Sequence, residues 1–399
     1  MARLLVVGGS LGGLLAANIL LRAGHQVQLL EKSPGSLDGR GAGIVTHAAL
    51  DVGLRRAGVP VDDSLGVRVA SRVVLDASGA AVAQRTLPQL LTSWSRLYAL
   101  LCEALPAGCA LPGRAVQHVA QNADGVSVQC ASGERLQADL LIASDGIRSA
   151  VRAQLAPEVQ PQYAGYIAWR GVCDEALLSR HTLHSVFEQF GFGLPAGEQL
   201  IGYPVAGSGN ATAQGQRRYN FVWYRAADEH GALRALLTDA DGVHHALNIP
   251  PHKVSWRQIA AMREAARALL APQFAEIIEK TALPFVQPIH DVCSTRLAFG
   301  RVALMGDAAF VARPHVGMGV TKAAEDALAL ADCLAAHGAS AAALQAYEAL
   351  RLQPGQAVVQ RARALGAYMQ AQGQTGSQAH RDAEAVLRDT AIDLAAAHA

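Results

Sequence analysis
The residues with chemistry to offer begin at position 8. The stretch VVGGSLGG (6–13) puts Gly8 directly after an apolar run, with Gly12 and Gly13 entering a Leu- and Ala-rich segment. A tight turn needs the first glycine, and close packing of a helix on a strand needs the last. Unpaired amides at the start of such a helix, together with its dipole, attract a pyrophosphate. Gly8, Ser10, Leu11 and Gly13 are therefore candidate dinucleotide-binding positions. Glu31 closes the next apolar run 23 residues after Gly8, near the spacing at which a carboxylate accepts ribose hydroxyls, and Lys32 follows it as a further candidate. Ser10 stands where the G-x-G-x-x-G pattern has its middle glycine; serine still permits close approach, but an ordinary glycine-rich βα turn would read similarly. An acid at 31 suits an unphosphorylated ribose, hence FAD or NAD rather than NADP. A second acid, Asp307, ends another apolar run, GRVALM (300–305), and a glycine pair, Gly317 and Gly319, arrives ten positions later. An acid there is either a helix N-cap or a carboxylate kept for a ligand.

The elements that must position these residues alternate. RLLVV (3–7), a helix over 11–23 and VQLLE (27–31) form a βαβ unit. Residues 96–105 read as helix, 126–130 (VSVQC) as a strand, and 136–144 (LQADLLIAS) as a strand ending at Asp145-Gly146. From about 160 to 225, YAGYIAWRGV, LIGYPVAG and RYNFVWYR carry the aromatics and alternation of an antiparallel sheet. Residues 257–281 read as helix, a long Ala-rich helix follows over 320–337, and the tail from 341 to 399 is helical with Gly and Gln interruptions. The first and last thirds thus form one nucleotide-type unit split by a β-rich insert.

Composition sets the outer limits. Of 399 residues, 51% are hydrophobic and the formal net charge is +1, with no long run of either sign, so nucleic acid and anionic membrane surfaces are poor partners. Six scattered cysteines show no CxxC or metal-type spacing and fit reduced thiols in a cytoplasmic protein. Residues 4–21 carry no charge and superficially resemble a signal anchor, yet a GGSLGG centre suits a strand–turn–helix hinge rather than a spanning helix.

Two later stretches say which dinucleotide. DLLIASDGIRSAVR (139–152) is an apolar strand ending in Asp-Gly, followed by Arg148, Ser149 and Arg152; the other is MGDAAFVARPHVGMG (305–319). In order with VVGGSLGG, they resemble the single-component FAD-dependent aromatic hydroxylases, the group containing para-hydroxybenzoate and salicylate hydroxylases, from residue 1 to about 350. Within the group, YAGYIAWRGV (163–172) and ARPHVGMGVTKAAEDA (312–327) look most like the hydroxypyridine-hydroxylating members. The resemblance implies an α/β fold: a Rossmann-like FAD-binding domain (1–75, 96–160 and 286–340) interleaved with an antiparallel β-sheet substrate domain (76–95 and 161–285), and C-terminal helices over 341–399. It implies that Asp307 accepts hydroxyls of the flavin's ribityl chain, and that Pro314, Gly317, Met318, Gly319 and Val320 run beside the isoalloxazine with backbone amides toward it. The helix from about Val320 then directs its positive end at the ring. Asp145 would lie near the pyrophosphate and Val116 would meet adenine through its backbone. Arg148 and Arg152 would hold the turn, meet NAD(P)H phosphates, or form structural ion pairs. Arg96 precedes Leu100 by four residues where the group has three, which shifts its register.

By the same resemblance the reaction is hydroxylation of an electron-rich ring, a hydroxypyridine or phenol, with NADH or NADPH as donor and O2 adding at the flavin C4a position. No side chain inserts oxygen, so the cofactor carries that step. No metal ligand set is read in the chain, a small aromatic substrate is the expected partner, and a homodimer is one assembly open to it. Side chains that can help deprotonate a ring hydroxyl are His47, after GAGIVT (41–46), His315 in the flavin loop, and Tyr203 and Tyr224 on strands of the sheet. Each has a plainer reading: a satisfied core histidine, or an aromatic packed on a sheet face. Arg170 reads as a sheet-supporting ion-pair residue, and Phe310 replaces a His of many relatives without a chemical role of its own. Rival readings are an epoxidase, halogenase or reductase on the same scaffold, or an FAD-bound redox sensor; the WxWxIP pattern of flavin halogenases and the FxGxxxHxxxWP signature are both absent.

Overall fold
The computed structural model describes residues 1–37, 43–370 and 381–393. Gly41 and Ala42 of the GAGIVT stretch, and parts of the helical tail, lie outside the described residues.

The strand Arg3–Val7 is apolar on both faces because helices cover both sides of its sheet. It pairs in parallel with Gln26–Glu31 on one side and Leu140–Ala143 on the other. Val302–Leu304 and Ala110–Pro112 extend the sheet in parallel, and antiparallel Ala298–Phe299 forms its edge. Helix Leu11–Arg22 is buried over most of its length, wedged against helices Trp94–Ala104 and Gly319–His337. Its one buried amide, Asn18, donates to the carbonyls of Leu14 and Leu101 at 3.0 and 2.9 Å, so no polar group is left unpaired there. Parallel pairing brings Val7, Glu31, Ala143 and Leu304 to the same edge, the edge where such sheets bind ligands.

A nine-stranded sheet stands beside it in the order Phe310–Val311, Phe285–Cys293, Gln162–Asp174, Arg218–Ala226, Gln199–Val205, Phe190–Gly193, Val67–Leu75, Ala81–Ser93, Gly43–Val45. Alternation splits its residues between two faces. Ile167, Trp169, Tyr219, Phe221 and Trp223 pack into one core with Ile259, Met262 and Ile277 of helices Trp256–Leu269 and Pro272–Lys280. Tyr166, Ala168, Ile201, Tyr203, Val222 and Tyr224 pack on the other face, with Val45 and Leu91.

Three expectations change. The 136–144 stretch is two strands: Arg135–Ala138 belongs to a small antiparallel sheet, and only Leu140–Ala143 enters the parallel one. The 257–281 helix is two helices, because Pro272 cannot continue the first and opens the second. Sheet membership also crosses the expected domain boundaries. Val67–Leu75 and Gly43–Val45 pair within the nine-stranded sheet, as do Phe285–Cys293 and Phe310–Val311, and the Phe190–Gly193/Val67–Leu75 pair is parallel in an otherwise antiparallel sheet.

Phe310 is fully buried and its ring lies against Gly355 of helix Ala341–Gly366, where a Cβ would come within 2.2 Å of it. Overpacking of this kind costs about 1–3 kcal/mol. Gly355→Ala is accordingly expected to lower the unfolding free energy by that amount, read as a lower urea midpoint at unchanged slope.

Candidate active site
A cavity of about 350 Å³ opens at the carboxyl edge of the parallel sheet, lined among others by Gly8, Ser10, Glu31, Lys32, Val116, Asp145 and Arg148. Gly8 has φ +105° and its Cβ would meet the Ser144 carbonyl at 2.3 Å; a Cβ on Gly13 would come within 1.8 Å of the Gly8 carbonyl. The crossing of strand, turn and helix therefore tolerates no side chain at either position. Leu11 is buried beneath the turn and does not line the cavity. Glu31 accepts from the amides of Gly9 and Ser33, both at 2.7 Å, so this carboxylate shapes the glycine turn. Asp145 accepts from the amide of Ala150 at 2.8 Å, while its other oxygen is buried without a partner among the described residues.

Of the three arginines, Arg152 holds the turn, Arg148 reaches the cavity and Arg96 does neither. Arg152 is buried and donates to the carbonyls of Ile147, Val159 and Ala308, a tie between backbone segments rather than an ion pair. Arg148 lines the cavity and donates to Asn248. Arg96 donates to Ser64 and does not line the cavity.

Asp307 lies on the short turn Gly306–Ala308 with 56% of its side chain open. It caps no helix; Lys322 Nζ lies 4.0 Å from its Oδ1. Burial of its surroundings raises its pKa, against the attraction of Lys322. The chain then runs through the turn Pro314–Val316 and left-handed Gly317 to helix Gly319–His337, with Val320 in its first turn. Val316 and Met318 pack on Val358, Ala362 and Leu365, so these side chains are committed to the core. A Cβ on Gly319 would meet no protein atom within 4 Å.

The four candidate proton-handling side chains gather where this loop meets the inner face of the large sheet. His315 is fully buried, its Nε2 3.0 Å from the Tyr166 hydroxyl and its ring centroid 4.0 Å from that of Tyr224. His47 Nδ1 is 2.9 Å from Thr321 Oγ1. His47 Nε2 and His315 Nδ1 are buried without a hydrogen-bond partner among the described residues. Tyr203 packs against Gly43, four residues before His47, and its ring centroid is 4.8 Å from that of Phe190. Burial lowers the pKa of His47 to about 4 and holds that of His315 well below the ordinary value, so both imidazoles are neutral. Burial also raises Tyr203 to about 12 and Tyr224 above the ordinary phenol range, so both remain protonated donors.

Arg170 departs from its expected ion pair. It donates to the neutral amide of Gln287 at 2.7 Å, and no carboxylate pairs with it among the described residues. Strand register places it opposite Val222, on the face of Tyr203 and Tyr224, both of whose pKa values its charge lowers. Sequence reasoning missed Tyr166 and Thr321, although Tyr166 shares the alternation that marked the strand. It also missed the C-terminal contact. Arg72, fully buried, donates to the carbonyls of Leu387, Thr390 and Ala391, and the Ala391 amide donates to the His315 carbonyl at 2.9 Å. The described residues hold no cluster suited to a metal ion and no helix long and apolar enough to cross a membrane.

A dinucleotide cleft at the carboxyl edge of a Rossmann-like sheet, facing a second sheet across a glycine loop, defines a class, and comparison agrees with it. A family model described as an FAD binding domain matches residues 1–190 and 248–362. The chain belongs to this FAD-binding family, and its cofactor is FAD. It is 31% identical over 369 residues to 2,6-dihydroxypyridine 3-monooxygenase of Paenarthrobacter nicotinovorans, covering 92% of this chain and 91% of that one. It is 31% identical over 382 residues to salicylate hydroxylase of Pseudomonas putida, covering 88% and 82%. The solved structure of 2,6-dihydroxypyridine-3-hydroxylase from Arthrobacter nicotinovorans superposes with a TM-score of 0.87 at 30% identity over 94% of both chains.

The neutral His47 has a consequence for stability. Its folded pKa lies below the unfolded value, so the unfolded chain binds more protons as pH falls below about 6.5, and stability is lost toward pH 4. Its share of that loss is about 3 kcal/mol. Urea unfolding of wild type and His47→Gln from pH 7.5 to 4.5 is expected to show a shallower acid loss in the variant.

Proposed function
We propose that the chain is an FAD-dependent monooxygenase that hydroxylates an electron-rich aromatic ring, a hydroxypyridine or phenol, with NADH or NADPH as electron donor. The observation that carries this reading is the convergence of His47, His315, Tyr203 and Tyr224 beside the loop Pro314–Val320. The names of the relatives support the ring class. The residues fit the cofactor: Gly8, Ser10 and Gly13 would admit it at the turn, Glu31 and Lys32 would hold the ribose, Val116 the adenine and Asp145 the pyrophosphate, and the exposed Asp307 would accept the polyol hydroxyls. Bound FAD supplies the electrons from NAD(P)H and the activation of O2 that side chains lack.

The chain's own residues handle the substrate. The tyrosine hydroxyls donate to ring oxygens, and the free nitrogens of His47 and His315 accept a ring hydroxyl's proton by hydrogen bond. Drawing that proton toward the imidazole within the hydrogen bond enriches the ring in electrons at the carbon to be hydroxylated. The Arg170 guanidinium, without a carboxylate of its own among the described residues, stabilises the negative charge that develops on the ring oxygen. The apolar wall of Val45, Leu91, Ile201 and Val222 excludes water. One atom of O2 enters the ring and the other leaves as water, with two electrons from NAD(P)H.

Purified protein given FAD and NADH or NADPH is expected to oxidise the nucleotide faster when a dihydroxypyridine or phenol is added, with a product one oxygen heavier by mass spectrometry. Yellow protein that no ring compound stimulates would favour the redox-sensor reading instead. A charged hydrogen bond contributes about 1.5–3 kcal/mol. Arg170→Met is therefore expected to raise KM at least tenfold for rings with an acidic hydroxyl, while the unstimulated oxidation rate stays unchanged.

A further inference from the structure
Lys322 is the least comfortable residue in the site. It sits in the first turn of helix Gly319–His337, its side chain has no exposure, and its ammonium has no hydrogen-bond partner among the described residues. A cation in the first turn opposes the positive end of the helix dipole, and a buried ammonium without partners is costly. The second acid nearby cannot answer it. Asp326 already accepts from the Gly306 amide at 2.9 Å and from Arg351 Nε at 2.8 Å, and Arg351 also pairs with Glu325. Around the same turn, Arg152 donates to the Ala308 carbonyl at 2.8 Å and the Tyr347 hydroxyl to the Leu304 carbonyl at 3.0 Å. That leaves Asp307, whose Oδ1 is 4.0 Å from the ammonium while 56% of its side chain is exposed. Residues that break a local rule at a cost to the fold are most often kept for a ligand.

We propose that Lys322 is a positioning residue of the dinucleotide site: its buried ammonium keeps the Asp307 carboxylate ionised and available in the cleft, where it accepts the hydroxyls of the flavin's ribityl chain. The assignment rests on the FAD reading of the site. Without Lys322, the influences on Asp307 among the described residues are partial desolvation and the charge of Asp326, both of which favour its neutral form. A protonated carboxyl is a poorer acceptor for two hydroxyl donors. Affinity for FAD is then present above the pKa of Asp307 and lost as pH falls through it, and removing Lys322 moves that loss to higher pH.

The test is FAD titration of the apoprotein by flavin fluorescence from pH 5 to 9, in wild type, Lys322→Met, Asp307→Asn and the double variant. Lys322→Met is expected to bind FAD at least tenfold more weakly at pH 6, with the gap closing toward pH 9. The same change in the Asp307→Asn background is expected to have no further effect, because the two residues act as one unit. Urea unfolding of the apo form of Lys322→Met is expected to be unchanged or shifted to higher urea, since an uncompensated buried charge has gone. Lys322→Gln, neutral and of similar length, carries the same test should the methionine variant not fold. Wild-type affinity in either variant, or equal weakening at every pH and in both Asp307 backgrounds, overturns the proposal. Wild type that binds no FAD overturns the site reading, and this proposal with it.

Discussion
Parallel pairing of short apolar strands is the constraint on which the rest of the molecule depends. Arg3–Val7, Gln26–Glu31, Leu140–Ala143 and Val302–Leu304 share no local sequence, yet in-register pairing lands their ends at one edge. Of the groups that follow them, Gly8, Lys32 and Asp145 then line a common cleft, and Asp307 is exposed past the next strand end, without any being adjacent in the chain. Backbone hydrogen bonds fix this arrangement: Gly8 N to Leu30 O, Ser144 N to Val7 O, and Met305 N to Ala143 O, all within 2.9 Å. A register slip of one residue would carry an acid off the edge and an apolar side chain onto it.

The second sheet supplies what the first cannot, an apolar wall holding a few polar groups in fixed protonation states. Desolvation is the dominant cause of the shifts at His47, His315, Tyr203 and Tyr224. It leaves two neutral imidazoles and two protonated phenols within one apolar enclosure. A neutral imidazole beside a phenol suits a substrate that brings its own acidic hydroxyl, because the site then needs only to accept a hydrogen bond. Arg170, a cation on that face that donates to the neutral amide of Gln287, complements the charge such a ring acquires.

The C-terminal part joins the two sheets. Helix Ala341–Gly366 receives Phe310, Val316 and Met318, anchoring both ends of the flavin loop. The segment around Leu387–Ala391 returns to the large sheet through three carbonyls on Arg72. A cation with no exposure, satisfied by carbonyls, fixes this segment beside His315 and Gly317, while Asp393 of the same segment accepts from the Ala48 amide and places a carboxylate near His47. Phe310 is part of this packing, which accounts for its apolar character.

The sequence alone determined the local devices. The glycine turn at 8–13, the acid closing a strand at 31 and the one on the turn after a strand at 307, the Asp-Gly at 145–146 and the alternating strands after 160 each rest on short-range rules of turn geometry and periodicity, so their spacing suffices to find them. Partners across long separations were not legible. Nothing local says that Arg72 meets residues 387–391, that Arg170 lacks a carboxylate, that Val67–Leu75 joins the large sheet, or that Lys322 ends with its ammonium under Asp307. Those facts depend on which surfaces exclude water together, and burial is a property of the assembled fold rather than of any stretch of chain.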